Sequence, residues 1–194
     1  MGAYKKIVEA YNNGEVDFSG VTTINLDEYR GIKRNHEQSY WSFMQENLFK
    51  HVNVREDHIF IPNGENLNSE EVCREYDKII ENAGGIDMQL LGIGLDGHIG
   101  FNEPADHFEK NTHCVELTES TIEANKRFFE SKDEVPRQAY TNGYPANRTG
   151  KESHHDRKWK KQGGYHQKSI YRTGHTGSPG IHSADASGFH TDRR

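Results

Sequence analysis

The apolar residues of the first 130 positions follow two spacings, one typical of amphipathic helices and one typical of buried strands. Tyr4, Ile7, Val8 and Tyr11 show the i, i+3, i+4, i+7 spacing of a single helix face. The same spacing predicts three further helices, over residues 39–52, 68–83 and 118–129. Asn68 is a good N-cap for the second of these, and Glu71 three residues later resembles a capping box.

Four short runs of apolar and β-branched residues predict strands between these helices, at residues 21–26, 59–61, 86–93 and 114–117. The run at 86–93 is apolar at nearly every position, which is typical of a strand covered on both faces. Strands that alternate with helices indicate an α/β fold of βαβ units with a mostly parallel sheet. Ligands bind such sheets beyond the carboxyl ends of the strands, where Asp27 and residues 92–105 would lie.

The composition of the chain changes after Pro136. Residues 1–136 contain 13 Lys and Arg against 26 Asp and Glu, whereas residues 137–194 contain 11 against 4. The second part has no Leu, Val, Met or Cys, so it cannot bury enough apolar surface to offset the entropy of ordering. We expect a disordered basic tail. Because that tail carries no recognised nucleic-acid-binding motif, we expect no nucleic-acid partner.

The chain also lacks the signals of a membrane or secreted protein. No apolar run approaches the ~20 residues that a membrane span needs, and the N-terminus lacks the apolar core of a secretory signal. Cys73 and Cys114 lie in a predicted helix and a predicted strand, and without a signal peptide they are expected to be reduced. These features predict a cytoplasmic protein without a membrane partner.

Residues 92–105 combine glycines with the acid–base residues Asp96, His98 and Glu103. The glycines match the dinucleotide-binding fingerprint, but Gly100 and Pro104 interrupt the helix that this fingerprint requires. A proton-transfer set is the better functional interpretation, because histidine titrates near neutrality and nearby carboxylates tune it. The spacing is equally compatible with a turn-forming Asp96, a packed His98 and a solvated Glu103.

The acidic pair Asp27-Glu28 follows the first predicted strand and could add a further carboxylate to such a set. Acidic pairs in this position more often cap helices or remain solvated, and the sequence alone favours that interpretation. No His-x-x-x-His pair or pair of neighbouring cysteines supports a metal site, so we expect no bound metal.

Two motifs together resemble one known family. The segment Asn25-Leu26-Asp27-Glu28-Tyr29 and residues 92–105 are similar to glucosamine-6-phosphate deaminases, of the glucosamine/galactosamine-6-phosphate isomerase family. The resemblance covers residues 3–139, so it predicts a domain over 1–139 and a separate basic tail over 140–194. The 6-phosphogluconolactonases share the Asp-Gly-His core but lack the Asn-Glu-Pro-Ala ending, and they are the alternative.

The resemblance implies a Rossmann-like three-layer sandwich and an enzyme that converts glucosamine 6-phosphate and water to fructose 6-phosphate and ammonia, classed as a hydrolase of a C–N bond. His98 would open the sugar ring, Asp27 would move the C2 proton, and Arg127 would hold the substrate phosphate. The implied residues are Asp27, Asp96, His98 and Glu103 for catalysis, with Gly92 and Arg127 for substrate binding. A sugar phosphate is the expected partner, no cofactor is implied, and homo-oligomerisation is left open.

The chain also departs from the family pattern. Family members begin with a strand and a phosphate-binding loop that precede the helix opening here at Ala3, so we expect an incomplete sandwich. The similarity ends abruptly near Gly143, which indicates either a genuine disordered extension or translation in a shifted reading frame. A non-catalytic fragment is therefore an alternative to an active enzyme. His113, Val115 and Glu116 replace the basic residues of allosteric members, which predicts no activation by an acetylated sugar phosphate.

Overall fold

The computed structural model describes residues 2–92, 98–102 and 109–143, together with the backbone of residues 168–171 and 182–185. Its elements, in chain order, are α1 (Gly2–Asn12), β1 (Thr23–Ile24), β2 (Asp27–Tyr29), α2 (Tyr40–Asn47), β3 (Ile59–Phe60), α3 (Ser69–Asn82), β4 (His113–Glu116), α4 (Glu119–Asn125), β5 (Gln138–Thr141), β6 (Lys168–Tyr171) and β7 (His182–Asp185). Short 3-10 helices cover Phe49–His51, Glu56–His58, Lys126–Phe128 and Lys132–Glu134.

All four predicted helices are present, but α2 and α4 end earlier than predicted, at Asn47 and Asn125, and 3-10 turns follow them. Helix α3 shows how local chemistry sets the ends of a helix. The Asn68 side chain accepts a hydrogen bond from the Glu71 backbone N–H at 3.3 Å. In a capping box the Glu71 carboxylate would accept from the Asn68 backbone N–H. Here it accepts from the Asn66 side chain at 3.0 Å. Gly84 ends the helix at φ +81°, a conformation that glycine adopts without steric cost.

One part of the sheet structure follows the βαβ prediction. Strands β1 and β3 pair in parallel, and α2 lies between them in the sequence. The Tyr76 hydroxyl of α3 lies 2.8 Å from the Asn25 carbonyl oxygen and 3.1 Å from that of Phe60. Tyr76 therefore bridges the carboxyl ends of both strands. The predicted α/β class is confirmed.

A second, antiparallel sheet was not anticipated, and it makes the described sheet structure mixed. Its strand order is β2-β5-β4. Asp27 begins a strand of this sheet, whereas the sequence suggested a loop after a strand. Strand β5 was missed altogether, because it is short and follows Pro136 closely. Its last three residues, Ala139, Tyr140 and Thr141, are fully buried in the described structure.

The predicted strand over residues 86–93 is wrong for residues 86–92, because none of these residues belongs to a strand of the described structure. The Met88 side chain, expected to be covered, is 60% exposed. An apolar run becomes a strand only when neighbouring strands supply its hydrogen bonds. In the described structure Leu91 takes part in a single β-bridge, and residues 86–90 and Gly92 take part in none.

Packing continues past residue 139, the end of the predicted domain. The Asn142 backbone N–H donates to the Leu26 carbonyl at 2.9 Å, and that of Gly143 donates to the Asn111 carbonyl at 3.1 Å. Within the predicted tail, β6 and β7 pair antiparallel. The other predictions for residues 144–194 lie outside the described residues.

Two apolar clusters support these elements. The first contains Tyr29, Ile32, Phe101, Leu117, Ile122, Val135 and Ala139. The second contains Met44, Leu48 and Phe49, against which Tyr4, Ile7 and Val8 of α1 pack. Cys73 and Cys114 are free thiols, as predicted. No helix of the described residues has both the length and the apolar character needed to cross a membrane.

Candidate active site

Asp27 is a carboxylic acid held inside the protein at the start of β2. Its residue surface is only 6% exposed, and burial raises the pKa of its carboxyl from 3.8 to about 7, with a smaller contribution from the Glu28 charge. Burial has this effect because a low-dielectric environment disfavours the charged form. Asp27 therefore titrates in the range where a general base for neutral pH is most effective.

Tyrosine side chains from several elements interact electrostatically with Asp27. They are Tyr4 of α1, Tyr29 of β2, Tyr40 of α2 and Tyr76 of α3. Burial is the main cause that raises the pKa of each hydroxyl, and the charge of Asp27 raises each further. Asp27 thus lies where three helices and the antiparallel sheet converge.

The neighbouring Glu28 has a structural role. Its carboxylate accepts hydrogen bonds from the backbone N–H groups of Tyr29 at 2.9 Å, Tyr40 at 3.0 Å and Trp41 at 3.2 Å. Two of these groups belong to the first turn of α2, where N–H groups lack partners within the helix. Glu28 therefore caps α2 alongside Ser39. Glu28 therefore fits the capping interpretation, and Asp27 remains the candidate base.

The loop over residues 98–102 lies directly against Asp27. Gly100 adopts φ +62°, and a Cβ atom placed on it would lie 3.2 Å from Asp27 Oδ2 and 2.7 Å from Leu26 Cδ2. Only glycine allows the backbone to approach this closely with a left-handed conformation. On either side, Ile99 and Phe101 are 7% and 6% exposed, so both bury their side chains. The tertiary structure thereby brings the predicted histidine loop to the predicted base, 71 positions apart in the sequence.

Asn102 fixes the end of this loop. Its side-chain Nδ2 lies 2.9 Å from the Asn142 carbonyl oxygen, 3.1 Å from the Ile99 carbonyl oxygen and 3.4 Å from Thr141 Oγ1. Thr141 pairs with Asp27 across the antiparallel sheet. The amide therefore joins the loop to the strand that borders Asp27.

The remaining predicted site residues have different surroundings. His98 is half-buried at the start of the loop, and Gly92 is exposed. Arg127 is exposed in the 3-10 helix after α4, and its guanidinium lies over the Phe128 ring at 4.6 Å from the centroid. That contact does not place Arg127 at Asp27. The predictions for Asp96 and Glu103 lie outside the described residues.

Metal binding finds no support in the part of the chain that the structure describes. No group of three or more His, Cys, Asp or Glu side chains there is placed to hold an ion. The chemistry that the arrangement can supply is proton transfer by Asp27 in a buried position.

Sequence reasoning missed the residues that assemble the site. Asn102 and Thr141 act through hydrogen bonds between segments distant in sequence, and Tyr76 acts through two backbone carbonyls on other elements. The only sequence signal for Asn102 was its place in the Asn-Glu-Pro-Ala motif. A tyrosine on the apolar face of α3 gave no sign that its hydroxyl bridges two strands.

Comparison with known proteins identifies relatives. The family model described as glucosamine-6-phosphate isomerases/6-phosphogluconolactonase matches residues 2–128. A glucosamine-6-phosphate deaminase of Thermoanaerobacter sp. (strain X514) is 56% identical over 143 residues, which are 74% of this chain and 56% of the relative. That of Clostridium perfringens (strain 13 / Type A) is 55% identical over 143 residues, 74% of this chain and 59% of the relative.

A solved structure of a monomeric glucosamine-6-phosphate deaminase is also similar. It is 41% identical with a TM-score of 0.69, and the match covers 72% of this chain and 58% of the other. The chain spans between half and two thirds of the length of the curated relatives it matches. Since the family model matches well over half of its residues, this chain belongs to the family of glucosamine-6-phosphate isomerases and 6-phosphogluconolactonases.

Proposed function

We propose that this chain carries the proton-transfer site of a glucosamine-6-phosphate deaminase, which converts glucosamine 6-phosphate and water to fructose 6-phosphate and ammonia. One observation carries the proposal: Asp27, whose pKa is raised to about 7, lies against Gly100 of the 98–102 loop. The similarity to deaminases at 55–56% identity favours this reaction over lactone hydrolysis.

Asp27 is the base of the isomerisation step. Its carboxylate removes the proton from C2 of the open-chain 2-amino aldose, and the proton is returned to C1. The product is an imine at C2, which water hydrolyses to the ketone with release of ammonia. A carboxylate with a pKa near neutrality removes such a proton more effectively than one with an ordinary pKa, because its conjugate acid is weaker.

The other predicted residues serve this reaction in the proposal. His98 opens the sugar ring, and Asp96 and Glu103 set its protonation. Gly92 contributes to substrate binding, and the exposed Arg127 guanidinium is accessible to the substrate phosphate. We further place the reaction in the cytoplasm, with overall hydrolysis of a C–N bond, and leave self-association to be measured.

The experiment follows both products. The full chain is incubated with glucosamine 6-phosphate, and ammonia and fructose 6-phosphate are measured, with 6-phosphogluconolactone tested in parallel. We expect equal amounts of both products, a loss of roughly 100-fold or more in kcat for Asp27→Asn, and little change for Asp133→Asn, whose side chain is 97% exposed.

The outcomes separate the alternatives. Lactone hydrolysis without ammonia release would replace the proposal with the lactonase function. No turnover from a chain that is folded by circular dichroism would identify it as a non-catalytic fragment. Full activity in Asp27→Asn would remove Asp27 from the mechanism.

A further inference from the structure

We propose that Asn102 is a positioning residue, whose side-chain amide holds the 98–102 loop over the Asp27 carboxylate. The effect of Asn102 on catalysis rests on the proposed function. Its effect on the position of the loop rests only on contacts within the chain. Asn102 does not touch the reacting groups in this proposal; it acts through the placement of Asp27 and the loop.

The first step is the reach of the amide. Asn102 Nδ2 carries two hydrogens, which suit the carbonyl oxygens of Ile99 at 3.1 Å and Asn142 at 2.9 Å. One acceptor belongs to the loop itself and the other to the segment after β5. The Asn102 backbone N–H also donates to the Ile99 carbonyl at 3.1 Å. A single side chain thus closes the turn and ties it to the antiparallel sheet.

The second step is the link from this tie to Asp27. The Asn142 N–H donates to the Leu26 carbonyl at 2.9 Å, immediately before Asp27. Thr141, the third neighbour of the amide, is fully buried and pairs with Asp27 across the sheet. The amide therefore connects the loop to Asn142, which bonds to the residue before Asp27, and to Thr141, the cross-strand partner of Asp27.

The third step is what the loop does to Asp27. With Asn102 in place, a Cβ atom on Gly100 would lie 2.7 Å from Leu26 Cδ2 and 3.2 Å from Asp27 Oδ2, so the loop backbone covers Asp27 closely on that side. Removing the amide leaves the Ile99 and Asn142 carbonyls without their shared donor, which costs free energy while they stay buried. The Ile99 carbonyl still accepts from the Asn102 backbone N–H. The Asn142 carbonyl loses the side-chain donor and can gain water only if the loop lifts, which would solvate Asp27.

Other ionisable groups interact electrostatically with Asp27. They are Glu28 and Tyr29 on β2, Tyr4 on α1, Tyr40 on α2 and Tyr76 on α3; His98 lies on the loop itself. None of these is changed by a substitution at Asn102. A shift in Asp27 titration after such a substitution therefore reports the loop rather than a lost charge.

The test measures the titration of Asp27 directly. The full chain is labelled with aspartate enriched in 13C at the side-chain carboxyl, and the Asp27 signal is assigned from its absence in Asp27→Asn. Asn102→Leu keeps the approximate size but has no donor. Its expected result is a fall of about one unit or more in the pKa of Asp27 as water reaches it.

The matched control is Asn53→Leu. Asn53 accepts from the Phe18 N–H at 2.9 Å and donates to Asp17 at 2.7 Å. It is therefore also an asparagine that bonds two chain segments, but those segments do not include Asp27 or the 98–102 loop. It should leave the Asp27 titration unchanged. Asn102→Ser, which keeps a donor but is too short to bridge both carbonyls, serves as a second variant if Asn102→Leu does not fold.

Activity then separates this inference from the proposed function. In an active chain, Asn102→Leu should lower kcat by about 10-fold or more with a smaller change in KM, and should move the acidic limb of the pH profile to lower pH. A chain without turnover whose Asp27 titration still shifts would retain the positioning role and lose the deaminase function. An unchanged Asp27 titration in folded Asn102 variants would overturn the inference.

Discussion

Burial of Asp27 should make this acid a source of instability at alkaline pH. Its pKa is raised from 3.8 to about 7 in the folded chain, so the unfolded chain ionises at lower pH than the folded one. Between these values the unfolded state binds fewer protons, and stability falls as the pH rises. Stability contributed by the protonated form is fully present below pH 3.8 and is lost by about pH 7.

The magnitude follows from the size of the shift. A difference of about three pKa units corresponds to about 4 kcal/mol in the free energy of unfolding, at ~1.4 kcal/mol per unit. Asp27→Asn removes the ionisation but keeps the shape of the side chain. We expect this variant to be more stable than the wild type by up to about 4 kcal/mol at pH 8, and the gain to disappear toward pH 4.

Urea unfolding followed by circular dichroism at pH 4, 6 and 8 measures this difference. Asp133→Asn is the control, because Asp133 is 97% exposed and its ion pair with Arg137 spans 3.8 Å; exposed pairs contribute little. A gain for Asp27→Asn that is equal at all three pH values would refute the desolvation argument. A loss of stability at pH 8 would show that the carboxylate is ionised and well satisfied in the fold.

Three further substitutions test the surroundings of the site. Gly100→Ala should destabilise the chain by roughly 1–3 kcal/mol in urea unfolding, because of its positive φ and the close Leu26 side chain; Gly20→Ala, with open space at Cβ, should not. Tyr76→Phe should lower the free energy of unfolding by about 1 kcal/mol, since both bridged carbonyls lose their hydroxyl. Glu28→Gln should lower the pKa of Asp27, seen as an acidic limb at lower pH, because the repulsive charge is gone.

Each of these expectations has a contrary result. Equal stability of the two alanine variants would mean that Gly100 is not required for the close approach. An unchanged unfolding midpoint in Tyr76→Phe would assign no net contribution to the strand bridge. An unmoved pH profile in Glu28→Gln would leave burial alone as the cause of the Asp27 shift.

The sequence by itself determined the local elements of this protein. The spacing of Tyr4, Ile7, Val8 and Tyr11 predicts α1, and the apolar face and N-cap of residues 68–83 predict α3. These succeed because a helix closes its hydrogen bonds within a few residues, so its signals are adjacent in the chain. The resemblance then selected Asp27 and His98 from many acidic and imidazole groups.

The tertiary structure decided what those elements form and which groups are buried. Strand β5 pairs with β2 and β4, which are distant in sequence. No local sequence pattern therefore predicts it. The apolar run at 86–92 failed as a strand for the same reason, since strand formation depends on neighbours supplied by other segments.

The two members of the acidic pair illustrate the division most clearly. Asp27 and Glu28 are adjacent and chemically alike, and the sequence could not separate their roles. Glu28 turns toward the first N–H groups of α2, whereas Asp27 lies among tyrosines from three helices and beneath Gly100. Packing buries both carboxylates and burial raises the pKa of each, but only Glu28 gains backbone N–H donors that oppose this rise, and that difference sets their chemistry.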